Sequence, residues 1–387
     1  MSAPAPATPP PTPPTTPPTR KALESWRLFF PTTAALAILG LVAWGTQLAG
    51  TPLGLLPADH AGFMLWGVFG SGILGFLLTA YPRQNDATMP SAPLLWGLLA
   101  TQVVSAGLLL FGRAVLPPEP RAVLVALPWV LALGWAVPIA SASLKRRWDD
   151  TTAALPAALL AAIVGSVLHT LDPIPLLAGV RGVPFGIGPF VTLVALAVLD
   201  RVLPFFSARA VTVAGDGEYT GKRTRWFLGP LAALLWAKAL FPACAAWFAA
   251  GLLVVFVRQW WGWRPWPAAR TPMVGVIHLG LGWMALAWLA DLVGAPPTVG
   301  THALLVGGIV TLLFGISMRV VRGHSGLPVL LGRAGAVVIV LAQLAAALRV
   351  WVGWAGGTMP LYVASAALLV AAFVVWLGRF GPVAMRR

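Results

Sequence analysis

His60 and Met64 stand four residues apart near the start of an apolar run, so on a helix they share one face. Imidazole and thioether on one face are suited to a haem iron or to copper. The same face continues through Gly67, Ser71 and Gly75, at steps of three, four and four residues. A strip of small residues serves either close helix packing or as a flat bed for a macrocycle, with His60 or Met64 as axial or copper ligand. A second run sets His278 between Gly275 and Gly282 on one face. An imidazole this deep in an apolar run is costly unless it is liganded or hydrogen-bonded to a neighbouring helix. In a third run Leu304, Gly308, Thr311, Gly315 and Arg319 form a stripe. His302, at the start of that run, lies about 200° from the stripe on ideal helix geometry. Arg319, Arg322 and His324 gather at the far end of the run, where they form a basic mouth. That mouth is suited to haem propionates or another anion, or to anchoring at a membrane face.

The supply of ligating side chains is small. The 387 residues hold five histidines and one cysteine, Cys244. One cysteine excludes a disulfide framework and any cysteine-ligated zinc or iron–sulfur centre within the chain. The acids near the remaining histidines are Asp59, beside His60, and Asp172, three residues after His169, with Asp291 further along. They are candidates for orienting imidazoles, or ordinary loop acids.

The elements that carry these residues are membrane spans. With 58% hydrophobic and 10% charged residues and a mean hydropathy of +0.84, the chain cannot clothe a soluble core in polar side chains. Residues 1–24 form a Pro/Thr-rich tail, predicted to be disordered and polyproline-like, and residues 25–387 a transmembrane domain. Apolar runs place twelve spans at about 28–50, 61–81, 92–112, 122–144, 152–171, 184–203, 226–241, 243–258, 272–293, 300–320, 329–351 and 360–379. The seventh and eighth are short and divided only by Pro242, which also suits one bent hairpin or broken span. This count sorts 21 of the 26 Lys and Arg residues onto the side of the termini. Only Arg113, Arg121, Arg181, Lys238 and Arg349 fall on the other. Such an asymmetry predicts cytoplasmic termini. It also accounts for the net charge of +15 without a nucleic acid partner.

Several of these segments resemble the NnrS family. They are Trp26-Arg-Leu-Phe-Phe-Pro, His60-Ala-x-x-Met64 with Gly75-Phe-Leu-Leu-Thr-Ala, Arg201-Val-Leu-Pro-Phe-Phe-Ser, Val276-Ile-His278-Leu-Gly, and His302-Ala-Leu through Met318-Arg319 to Gly323-His324-Ser-Gly-x-Pro328. The likeness follows the family's order and spacing over nearly the whole chain after the tail. It implies an all-α, twelve-helix protein of the bacterial inner membrane that contains haem, with copper as a second candidate metal, and that serves nitric oxide metabolism or protection from nitrosative stress. It also implies that His60, Met64, His278, His302, Arg319 and His324 bind cofactor, the four histidines among them as metal ligands. One motif departs. The family's Trp-His-Ala-His-Glu-Met reads Asp59-His60-Ala61-Gly62-Phe63-Met64 here. If the missing His and Glu carry copper or protons in the family, this chain has lost one metal and kept the haem-binding shell.

A haem–copper oxidase catalytic subunit also has about this number of spans, but it needs a larger histidine set with an adjacent His-His pair, which this chain lacks. The rival from another class is a transporter without redox cofactor, which would need polar sites in mid-membrane or an internal repeat. The likeness between His60-Ala61 and His302-Ala303, each before a Gly-rich run, does not fit a six-plus-six repeat. No catalytic residue is assigned. The topology is checked with reporter fusions. A fluorescent protein fused after Arg387 is expected to mature in the cytoplasm, and alkaline phosphatase fused after Arg113 to be active outside.

Overall fold

A computed structural model describes residues 23–171, 181–213, 215, 219 and 227–386. Most of the 1–24 tail, Asp172 and most of the loop after residue 213 lie outside the described residues. The described chain is all helix. Eleven helices are long and apolar enough to cross a membrane: α1 (Ser25–Leu48), α2 (Pro57–Gln84), α3 (Ala92–Ala114), α4 (Pro118–Arg146), α5 (Asp150–Leu171), α6 (Gly182–Val213), α8 (Pro242–Gly262), α9 (Pro272–Leu292), α10 (Pro297–His324), α11 (Gly332–Ala355) and α12 (Met359–Met385). Between α6 and α8 lies the shorter apolar α7 (Leu228–Leu240). Proline occupies the first positions of α2, α3, α4, α8, α9, α10 and α12. There its missing N–H is no loss and its fixed φ starts the helix.

Ties between helix ends sort the two faces. On one face Glu24 binds Arg83 and His324, Arg27 donates to the carbonyls of Ala384 and Arg386, Arg201 donates to the Gln84 carbonyl, and the Tyr219 hydroxyl donates to the Gly262 carbonyl. On the other, Arg113 binds Asp59, Arg121 donates to the Thr170 carbonyl, and Lys238 pairs with Asp291. The chain enters α7 near the first face, and Lys238 near its end reaches the second. So α7 crosses too, although 13 residues rise only about 20 Å. Both described chain ends share one face, and the five minority basic residues belong to the opposite one.

The helices form three successive units of four, α1–α4, α5–α8 and α9–α12. Within each unit the first helix packs on the second and the third on the fourth, and the last of each packs on the first of the next, with α12 closing onto α1. The second helix of each unit stands inside the ring. In α2, α6 and α10 the best apolar window is 83%, 72% and 67% buried, against 22% in α8 and 28% in α12. Each inner helix contains a π-helical stretch, Phe63–Phe69, Gly186–Thr192 and Ala303–Val310. Each stretch carries a glycine followed four residues later by a buried hydroxyl: Gly67 and Ser71, Gly188 and Thr192, Gly307 and Thr311. Side chains serve the backbone that the wider turn loosens. The Thr192 hydroxyl donates to the Ile187 carbonyl at 2.7 Å, and Gln102 of α3 donates to the carbonyls of Trp66 and Gly67 at 2.7 and 3.0 Å. Gln343, in the corresponding third helix of the last unit, donates to the Thr311 hydroxyl at 2.7 Å.

In α2 the π turn also undoes the 3.6-residue reading of the glycine stripe. Gly67 faces Ala106 of α3, whereas Gly75 faces Phe29 and Phe30 of α1. No continuous bed for a macrocycle remains on α2. The α10 stripe packs on α9, with Gly308 against Met284 and Gly315 against Val276. Both stripes are packing surfaces. A Cβ at Gly75 would lie 2.8 Å from the Cβ of Phe29, while a Cβ at Gly97 would meet nothing within 4 Å. Gly75→Ala is therefore expected to destabilise the protein in detergent by about 1–3 kcal/mol, and Gly97→Ala to leave Tm level or raise it, as measured by thermal unfolding.

Candidate functional site

Near the face opposite the chain termini, α1, α2, α10, α11 and α12 surround a cavity of about 330 Å³, at the small end of the range for ligand pockets. His60, Met64, His302, Arg349 and Tyr362 line it, with Trp44 along one wall. His60 lies in the opening turn of α2, three residues after Pro57. The indole of Trp44 stacks on its ring at 4.9 Å and 15°. Its Nδ1 is shut off from solvent and has no hydrogen-bond partner among the described residues. His302 closes the first turns of α10 just before the π stretch. Its Nδ1 lies 2.7 Å from the Thr298 carbonyl. A carbonyl only accepts, so Nδ1 carries the proton and Nε2 keeps the lone pair that a metal would take.

Arg349 completes the group. Its guanidinium lies 4.7 Å over the Tyr362 ring, and its Nη1 is buried without a hydrogen-bond partner among the described residues. Among the described residues neither Asp nor Glu lines the cavity. A cation held beside two neutral imidazoles with no carboxylate on the wall favours an anionic ligand group.

His278 stands elsewhere, in a lipid-facing cleft between α8, α9 and α11 that it shares with Gly275 and Gly282. The Trp260 indole donates to its Nδ1 at 3.1 Å, and its Nε2 lies 3.2 Å from the Ser207 hydroxyl. Because indole only donates, the neutral ring carries its proton on Nε2 and gives it to Ser207. Both nitrogens are used in tying α9 to α8 and α6.

Arg319 and His324 are at the termini face, apart from the cavity and from each other's partners. Arg319 lies over the Phe206 ring at 3.6 Å, and Arg322 donates to the Pro328 carbonyl. The Nδ1 of His324 donates to Glu24 at 2.9 Å. Glu24 also accepts from Arg83 at 2.6 Å and from the Trp26 indole at 2.9 Å. Burial works against its charge, but the hydrogen bonds from Arg83, His324 and Trp26 outweigh that and hold its pKa below the ordinary value. The basic mouth is thus dispersed onto separate partners.

Of the sequence candidates, His60, Met64 and His302 come together; His278, Arg319 and His324 do not join them. Among the described residues no three His, Cys, Asp or Glu side chains gather. Two imidazoles and a thioether are donors that could hold a haem iron or a soft copper ion. The outer acids have other tasks. Asp59 accepts from Arg113 at 3.0 Å, and Asp291 pairs with Lys238.

The departing motif has a spatial explanation. A Cβ at Gly62 would lie 2.4 Å from Nε2 of His169, and the Phe63 ring packs against Gly40. The ring of His169, which also tilts against Trp66 at 5.2 Å, fills the room in front of Gly62.

Sequence reasoning missed Trp44, Arg349 and Tyr362 as cavity walls, and Glu24 as the junction of the opposite face. Arg349 left one signal, a lone cation inside the outer end of an apolar run with no acid nearby.

The profile of one family, described as NnrS protein, matches residues 22–387. No curated protein matches the chain.

The two filled nitrogens of His278 yield a prediction. His278→Ala strands Trp260 and Ser207 and is expected to lower stability by about 1–3 kcal/mol, with cofactor content per protein unchanged. Thermal unfolding and cofactor quantification of the purified variant check it.

Proposed function

The chain belongs to the NnrS family, and from that membership and the outer cavity we propose that it is a haem-binding protein of the bacterial inner membrane, acting in the nitric oxide response or in protection from nitrosative stress, with both termini cytoplasmic. What supports the haem reading is the pairing of two available imidazole nitrogens with an uncompensated guanidinium around one cavity. Haem presents both matching groups, an iron that takes imidazole and carboxylates that take guanidinium. His60 and His302 would hold the iron, Met64 stands by as a third soft donor, and Arg349 would take a propionate. When bound, haem supplies a one-electron redox centre.

The protein's own residues prepare this site. Trp44 fixes the plane of the His60 ring, Thr298 fixes the His302 tautomer, and Tyr362 holds the Arg349 guanidinium by its π face. Copper is the second reading, favoured by Met64 beside the two histidines, since thioether and imidazole both suit Cu(I). The transporter reading gains a repeat from the three four-helix units. It gains no polar wall where the inner helices meet, since the cavity there is lined by apolar side chains and Ser317.

The test is the absorption spectrum and haem and copper content of protein purified in detergent after expression with ample haem. A Soret band is expected in the parent and in His278→Ala, lost in His60→Ala and His302→Ala, and weakened by Arg349→Leu. A parent without a Soret band overturns the haem reading, and copper without haem replaces it with the second.

A further inference from the structure

Where α2, α6 and α10 converge they leave a second cavity, of about 80 Å³, lined by Phe69 and Gly72 of α2, Val194 of α6, Leu313 and Ser317 of α10, and Phe30 of α1. This volume exceeds what a single water needs, but water also requires two to four polar partners. The one hydroxyl on the wall, that of Ser317, already donates to the Phe314 carbonyl at 3.2 Å. The remaining side chains are apolar. A space of this kind stays dry and takes up small apolar solutes, as engineered apolar cavities take up xenon. Phe69, at the end of the α2 π stretch, is buried and lines both this cavity and the outer one that contains His60 and His302. Its ring is a shared wall.

We propose that the central cavity is a binding site for small apolar gases of the diatomic class, nitric oxide, oxygen or carbon monoxide, and that Phe69 is the partition through which they reach the outer cavity. Dispersion and the cost of opening a cavity in water both favour a diatomic gas there. The π stretches border the space through Phe69, Val191 and Ile309, whose side chains are apolar.

The gas site is tested with xenon, which needs no bound cofactor. Crystals of the parent under xenon pressure are expected to show a xenon peak bounded by Phe30, Phe69, Val194 and Leu313. Ala195→Phe, which fills the cavity from α6, is expected to lose that peak while unfolding at or near the parent's temperature. Ordered water in the unpressurised cavity, or no xenon in the parent, overturns the site. Should Ala195→Phe fail to fold, Ile73→Phe on α2 fills the same space. The partition role rests on the haem reading and is read separately. After flash photolysis of carbon monoxide from haem-loaded protein, Phe69→Ala is expected to change the rebinding rate and the share of slow phases relative to the parent. Unchanged rebinding with xenon still bound removes the partition role and leaves the gas site.

Discussion

Inside a bilayer no water is present to take a loose carbonyl or N–H, so each backbone polar group needs a partner in the protein. The three inner helices carry the greatest burden under this constraint, because each contains a π stretch whose wider turn loosens the regular bonding. Placing those helices at the centre of a ring of nine others surrounds the loosened backbone with side chains able to serve it. Gln102 reaches two of these carbonyls from the third helix of the first unit, Thr192 serves its own helix, and Gln343 of the last unit bonds the Thr311 hydroxyl beside the π stretch. Among the described residues the outer helices contain no π stretch.

The same wide turns decide where the chemistry lies. His60 precedes the π stretch of α2 and His302 precedes that of α10, so both imidazoles sit at the outer ends of inner helices, where the units leave room between them. Residue type alone does not distinguish these histidines from His278. The difference is in the second nitrogen. His278 spends one on Trp260 and one on Ser207, whereas His302 turns one toward a carbonyl and keeps the other, and His60 has an unpartnered Nδ1. Imidazole in a helix interior is thus a clamp in one place and a candidate ligand in another, according to which donors surround it.

At the opposite face a single carboxylate organises four chain segments. Glu24 gathers Arg83, His324 and Trp26, and Arg27 three residues on joins the end of α12. The first helix therefore enters the ring already fastened to α2, α10 and α12, which also closes the third unit onto the first. Basic residues crowd this face, and one acid among them suffices to make a junction.

The all-helical membrane class, the sides of the basic residues and the presence of His60, Met64 and His302 near one face follow from the sequence, because hydropathy and charge act residue by residue along the chain. The seventh apolar run shows in the sequence for the same reason, and the structure has it as α7, an apolar helix shorter than the eleven long enough to cross a membrane. The packing role of the glycine stripes, the three-unit ring and the entry of Arg349 into the histidine cavity were decided only by the tertiary structure. A 3.6-residue projection fails once a π turn rotates the face. The partners of the two His278 nitrogens, Trp260 and Ser207, come from other helices 18 and 71 residues away, and only packing brings them into reach.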